Sequence, residues 1–175
     1  MVTAAHAMLA EFNAEVPATR RVLERMPADR FDWQPHPRSM SAGQLGRHVA
    51  SIPATAVRLA AMDGFDVANA PAVLPSPENR DELLGLFERS IVSMRELLAG
   101  LDDGVANAPW KLTFGGREVQ SWSRLTMIRT IGFNHWYHHR GELVVYLRLL
   151  GVPVPVVYGR SADENPFAHA PAAAH

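Results

Sequence analysis

Residues 122–150 form the longest helical pattern in the chain, and this pattern restricts the fold more than any other feature. Ser121 is placed to cap the helix, and Gly151 and Pro153 are stop signals after Leu150. A helix of this length would extend roughly 43 Å. One of its stripes carries apolar residues and two histidines at intervals of three or four: Leu125, Ile128, Ile131, His135, His139, Leu143, Tyr146 and Leu150. Other helices must cover a stripe of this length.

Three earlier segments show the same periodicity. The first covers residues 3–27. The second begins after Ser41, which forms a capping-box pattern with Gln44 three residues later. The third is predicted to open at Ser76, with Pro77 in its first helical position. Four amphipathic helices of this kind are typical of a bundle that buries their apolar stripes against one another.

The fold class follows from these four segments. Residues 110–119 alternate around Gly115 and Gly116, a pattern that predicts a small hairpin between the third and last helices. We therefore predict an all-α fold, a four-helix bundle of up-down-down-up or related topology with this hairpin added. Residues 1–155 are expected to form the single domain. Residues 156–175 show no periodicity and are predicted to form a frayed tail.

Composition excludes several classes of function. The 175 residues have a formal net charge of −1 with scattered Lys and Arg, so the basic surface of a nucleic-acid-binding protein is missing. No run approaches the ~20 apolar residues of a membrane helix, and the N-terminus lacks a signal-peptide pattern. We therefore expect a cytoplasmic protein without a membrane partner. Because the chain contains no cysteine, a metal site must use histidine and carboxylate ligands.

Three histidines are candidates for such a metal site. His135 and His139 are four residues apart, so their side chains project from one helix face about one turn apart. His48 lies on the inner side of the second helix, where a bundle can bring it to the pair. His138 points away from this face and is expected at the surface. Glu142 is a candidate fourth ligand, or a hydrogen-bond partner that orients a ligand imidazole.

Structural roles compete with these assignments. A single histidine on an apolar stripe is also compatible with a hydrogen-bonded core residue, and Glu142 with an exposed salt bridge. The His135 and His139 pair favours a metal, because an apolar core does not supply partners for two neighbouring imidazoles. The cluster does not match the HExxH motif of zinc peptidases, since Trp136 stands where that motif has glutamate.

The chain resembles the DinB family of damage-inducible proteins. The likeness rests on "DWQPHPRSMS" at 32–41, "LGRHVA" at 45–50 and "NHWYHHRGELVVYLRLLGVPVP" at 134–155. It implies a four-helix-bundle fold, a homodimer, and a metal site made by one histidine of the second helix and two of the last. These positions correspond to His48, His135 and His139. At residue 142 the family usually has glutamine, so Glu142 is a departure.

The same resemblance suggests a chemistry. Three protein ligands leave a position on a divalent metal, zinc or nickel, for water or substrate. Some branches of the superfamily transfer a thiol, and here the thiol must come from a low-molecular-weight cofactor. We predict a metal-dependent enzyme that transfers such a thiol to an electrophilic small molecule, or hydrolyses a small substrate, in stress or detoxification. Arg47 and Arg140 are the nearest basic residues. The alternative is a non-catalytic metal-binding or ligand-sensing bundle.

Overall fold

A small sheet accompanies the helices. The computed structural model describes residues 3–71 and 74–168, and this part of the chain is mostly helical with three short strands. The predicted all-α fold with one added hairpin therefore needs a correction, because a third strand joins the hairpin to form a small sheet. Within the described ranges, no helix is both long enough and apolar enough to cross a membrane.

The first two helices begin at strong local signals. Helix α1 spans Ala4–Glu24 and α2 spans Ala42–Ala60. The predicted capping box of α2 is confirmed: the Ser41 N–H donates to Gln44 Oε1 at 2.8 Å, and the Gln44 N–H donates to Ser41 Oγ at 3.3 Å. These bonds satisfy two N–H groups that the start of a helix leaves without partners. The second helix therefore begins at the predicted residue.

The third helix begins later than predicted. Helix α3 spans Arg80–Gly100, so the expected start at Ser76 is wrong. Asn79 caps the helix instead, and its side-chain oxygen accepts a hydrogen bond from the Glu82 N–H at 2.8 Å.

The sheet lies at one end of α2. Its strands are β1 Gly64–Asp66, β2 Pro109–Phe114 and β3 Arg117–Ser123, and the short helix α4, Asp103–Asn107, precedes β2. Strands β2 and β3 form the predicted hairpin, and Gly115 and Gly116 in its turn have positive φ values of 58° and 78°. Strand β1 pairs with β2 in parallel. The Trp110 indole N–H donates to the Leu59 carbonyl at 3.0 Å and attaches the hairpin to α2.

The last helix has three continuous segments. They are α5, Arg124–Met127, a π-helical segment, Ile128–Asn134, and α6, His135–Leu149. The predicted cap at Ser121 is wrong, because this residue belongs to β3. Ser123 is the cap, and its hydroxyl accepts from the Thr126 N–H at 3.2 Å.

The last helix runs antiparallel to α2. Near the start of α2, the Tyr146 hydroxyl donates to the Met40 carbonyl at 3.2 Å. At the opposite end, the Arg124 guanidinium donates to the Ala60 carbonyl at 2.6 Å. Residues in the middle of α2 therefore face the middle of the last helix, which is where His48 and the His135 pair lie.

The described part of the C-terminal segment contacts the helices. The Arg21 guanidinium of α1 donates to the Val156 carbonyl at 2.9 Å, and Arg25 pairs with Glu164. The Tyr158 hydroxyl donates to Glu15 at 2.8 Å. These contacts belong to residues 156–168 of the predicted tail. Residues 169–175 of that tail lie outside the described ranges.

Candidate metal centre

Three imidazoles meet between α2 and the last helix. The Nε2 atom of His135 lies 3.3 Å from Nε2 of His48 and 2.7 Å from Nε2 of His139. The ligand nitrogens of all three lie within 4.8 Å of one another. We call these residues the histidine triad. The structure thus brings together the three histidines that the sequence nominated, and all three are half-buried.

The histidine pair lies beside the buried face of the last helix, and not in the middle of it as the predicted stripe implied. The fully or nearly fully buried side chains of α6 are Trp136, Arg140, Leu143 and Leu147. A π-helical turn contains one more residue than an α-helical turn, so the π segment before His135 rotates all later residues. If residues 128–134 are assumed to continue the α-helical spacing, the buried face of α6 is therefore predicted at the wrong residues.

A hydrogen bond beside the triad joins α2 to the last helix. Pro53 lies inside α2 and has no N–H, so the Val49 carbonyl four residues earlier loses its helical donor. The buried Trp136 indole N–H donates to this carbonyl at 3.0 Å. Val49 follows His48 and Trp136 follows His135, so this bond holds the two histidines opposite each other. The sequence analysis did not predict this role of Trp136, although a proline at residue 53 indicates that the carbonyl of Val49 lacks a helical donor.

Burial keeps two imidazoles neutral. The pKa of His48 is lowered to about 4 by burial first and then by the nearby His139 and His135. The pKa of His135 is also lowered to about 4, again by burial first and then by His139 and His138. A neutral imidazole carries the nitrogen lone pair that a metal requires. At neutral pH these two side chains are therefore in the form that binds metals.

Glu142 lies on the outer side of His139. Its Oε2 atom is 2.6 Å from His139 Nδ1, the ring nitrogen that points away from the triad. When Nδ1–H donates to this carboxylate, the neutral ring has its lone pair on Nε2, which faces His135. The carboxylate is thus placed to orient His139. The second carboxylate oxygen faces His138, whose side chain is exposed.

The triad fits a metal ion of the zinc type. Two nitrogens bound to one tetrahedral zinc at 2.0–2.1 Å stand about 3.3 Å apart. The separation of the His48 and His135 nitrogens is 3.3 Å. The His135 and His139 nitrogens are closer, at 2.7 Å, and would separate slightly around an ion. The donor set, three imidazole nitrogens, also suits nickel.

The two neighbouring arginines have partners elsewhere. Arg47 forms an ion pair with Glu82 of α3, with 3.4 Å between the charged groups. The Arg140 guanidinium is 2.7 Å from the Glu15 carboxylate of α1 and 3.0 Å from the Thr19 hydroxyl. Both arginines are thus engaged in contacts between helices.

A comparison with protein families decides the classification. The model of the DinB family matches residues 1–167, nearly the whole chain. The chain belongs to the DinB family. The prediction from the sequence motifs is therefore confirmed. No curated protein matches this DinB-family chain.

Solved structures share the fold of this DinB-family protein. A DinB-like protein from Bacillus subtilis is similar with a TM-score of 0.66 and 17% identity, covering 89% of this chain and 99% of its own. A DinB-like protein from Bacillus cereus has a TM-score of 0.63 and 17% identity, covering 86% of this chain and 95% of its own. At these identities the likeness extends to the fold alone.

Proposed function

We propose that this DinB-family protein is a metal-dependent enzyme whose divalent ion, zinc or nickel, is held by the histidine triad. One observation carries the proposal: three half-buried imidazoles direct their Nε2 atoms into one space, with ligand nitrogens within 4.8 Å of one another. Isolated core histidines would each need a separate hydrogen-bond partner. Here the imidazoles have one another, and an ion at their centre would satisfy all three.

The roles of the residues follow from the geometry. His48, His135 and His139 would hold the ion, and Glu142 would keep the His139 ring in the binding orientation. An ion with three protein ligands keeps an open position, at which it lowers the pKa of a bound water or thiol. The fully buried Trp136, next to His135, would hold the two helices together at the site through its bond to the Val49 carbonyl.

The reaction we favour is transfer of a low-molecular-weight thiol to an electrophilic small molecule, or a related hydrolysis, in stress or detoxification. The protein contains no cysteine, so the sulfur must belong to a cofactor. Arg47 and Arg140 are engaged with Glu82 and Glu15, and the cofactor's carboxylates would need other partners. By its family resemblance, the protein is also proposed to form a homodimer.

The rival proposal is a non-catalytic protein that binds a metal or senses a ligand with the same triad. Turnover of a thiol with an electrophile separates the two. Activity that a chelator removes and zinc or nickel restores would support the enzyme. Tight binding of one ion, without turnover on a panel of thiols and esters, would support the rival.

The first experiment measures metal content. Protein without a histidine tag is dialysed and analysed by elemental mass spectrometry, for the wild type and for His135→Ala. The matched control is His36→Ala, which removes an exposed loop histidine outside the triad. We expect about one ion per chain in the wild type and the control, and loss of the ion in His135→Ala.

Two outcomes would contradict the metal proposal. The first is a wild type that contains no metal and takes up no zinc, nickel or manganese when these are added. The second is full metal content in His135→Ala, which would place the ion away from the triad. A tag-free protein is needed because a histidine tag binds nickel by itself.

A further inference from the structure

A second group of metal-ligating side chains lies on the exposed face of α6. The His138 Nε2 atom is 3.2 Å from Glu142 Oε1, and the two residues are four apart on the helix. Two ligands at this separation match the geometry of a shared ion, since a nitrogen and an oxygen on one tetrahedral zinc stand about 3.3 Å apart. We call His138 and Glu142 the outer pair.

The outer pair is connected to the triad through a single carboxylate. Glu142 directs Oε1 to His138 and Oε2 to His139 Nδ1, at 3.2 and 2.6 Å. The two contacts use different oxygens, so an ion on Oε1 leaves the bond to His139 in place. The outer pair and the triad are thus able to bind ions at the same time.

Exposure decreases from the outer pair to the triad. The exposed fraction of the side chain is 62% for His138, 41% for Glu142 and 13% for His139. The outer pair is therefore more accessible to an ion from solution than the His139 end of the triad. Glu142 is also the carboxylate in contact with the triad, so it supplies negative charge where a divalent cation approaches the three imidazoles.

We propose that the outer pair is a second, weaker divalent-cation site that captures an ion before it enters the triad. Two protein ligands, with water completing the coordination, bind less tightly than three half-buried imidazoles. The inference rests on the proposed metal function of the triad. It assigns to His138 a role that its position outside the triad does not otherwise explain.

The test uses zinc chloride and the tag-free 175-residue chain after removal of metal. Equilibrium titration should show one tight and one weak binding event for the wild type. Rapid mixing with limiting zinc should then give the rate at which the triad fills. In His138→Ala we expect loss of the weak event and a several-fold slower filling rate, with the tight event retained. His36→Ala, which removes another exposed histidine, should behave like the wild type.

The outcomes separate this inference from the proposed function. Retention of both the weak event and the wild-type filling rate in His138→Ala would overturn the outer site. Loss of the weak event with an unchanged filling rate would overturn the capture role. Absence of any tight event in the wild type would instead overturn the triad itself, on which the inference depends. Circular dichroism of His138→Ala checks that the exposed substitution leaves the helix content unchanged.

Discussion

We expect the effect of replacing Trp136 by phenylalanine to depend on whether residue 53 is a proline. The Trp136 indole N–H is the donor to the Val49 carbonyl, at 3.0 Å, in a buried environment. Phenylalanine removes this donor, and Pro53 has no N–H to replace it. In a Pro53→Ala background, the N–H of Ala at residue 53 is in the helical position to bond the Val49 carbonyl.

The size of the effect follows from the cost of a buried polar group. A carbonyl left without a donor destabilises the folded state by about 1–3 kcal/mol. With Pro53 in place, Trp136→Phe should therefore lower the free energy of unfolding by this amount, and further by the packing energy of the larger ring. In the Pro53→Ala background only the packing loss should remain. For a chain of this length, the difference amounts to roughly 2–12 °C in the melting temperature.

Urea unfolding of the four proteins in a double-mutant cycle measures this coupling. A chelator is present throughout, so that metal binding does not contribute to the stability. Trp110 provides a matched control, since its indole N–H also donates at 3.0 Å to an α2 carbonyl, that of Leu59. The Leu59 carbonyl has a second donor in the Met62 N–H at 3.1 Å. Trp110→Phe should therefore be equally destabilising in both backgrounds.

Equal destabilisation by Trp136→Phe in the two backgrounds would refute this reasoning. Coupling below about 0.5 kcal/mol is within the usual scatter of independent sites. Such a result would mean that the Val49 carbonyl does not depend on the indole. A coupling of similar size for Trp110 would also refute it, because it would show that Pro53→Ala alters the whole helix.

Three further predictions concern stability without metal. Arg140→Ala should destabilise the fold by about 1–3 kcal/mol, because it removes a buried guanidinium that bonds the half-buried Glu15 carboxylate. Arg20→Ala at an exposed pair should have an effect below about 1 kcal/mol; thermal unfolding compares the two. Gly132→Leu should destabilise by about 1–3 kcal/mol, since a Cβ there meets two side-chain carbons at 3.1 Å, whereas Gly141→Ala, with open space around it, should stabilise; urea midpoints test this. Two triad histidines have a folded pKa of about 4, below the unfolded value of 6.5, so the folded state binds fewer protons between these values. Stability should therefore fall as the pH drops from about 6.5 to 4, and the slope should decrease in His135→Ala.

Local signals predicted the features that depend on neighbouring residues. The start of α2 was predictable because the capping box is formed by Ser41 and Gln44, three residues apart. The hairpin was predictable because Gly115 and Gly116 adopt the positive φ angles of a two-residue turn. The spacing of His135 and His139 likewise identified a pair of ligands, because residues four apart on a helix project from one face.

Other features depend on contacts between distant segments. The π segment changes the rotation of the last helix, and no local sequence signal predicted it. It packs against α2, where Gly132 lies close to Ala56. The parallel strand β1 pairs with β2 across 47 positions, as Gly64 pairs with Lys111. Such pairings are stabilised by tertiary packing, so periodicity within a segment does not reveal them.

The candidate site likewise has some features that local sequence predicted and others that depend on contacts between distant segments. The sequence by itself determined that His135 and His139 share a helix face and that His48 is near the apolar side of another helix. Only the tertiary structure decided that these residues meet, because His48 and His135 are separated by 87 positions. It also decided that the Trp136 indole bonds to the Val49 carbonyl. Helix spacing specifies directions around one axis, whereas a binding site requires the relative rotation and depth of two helices, and these are set by packing.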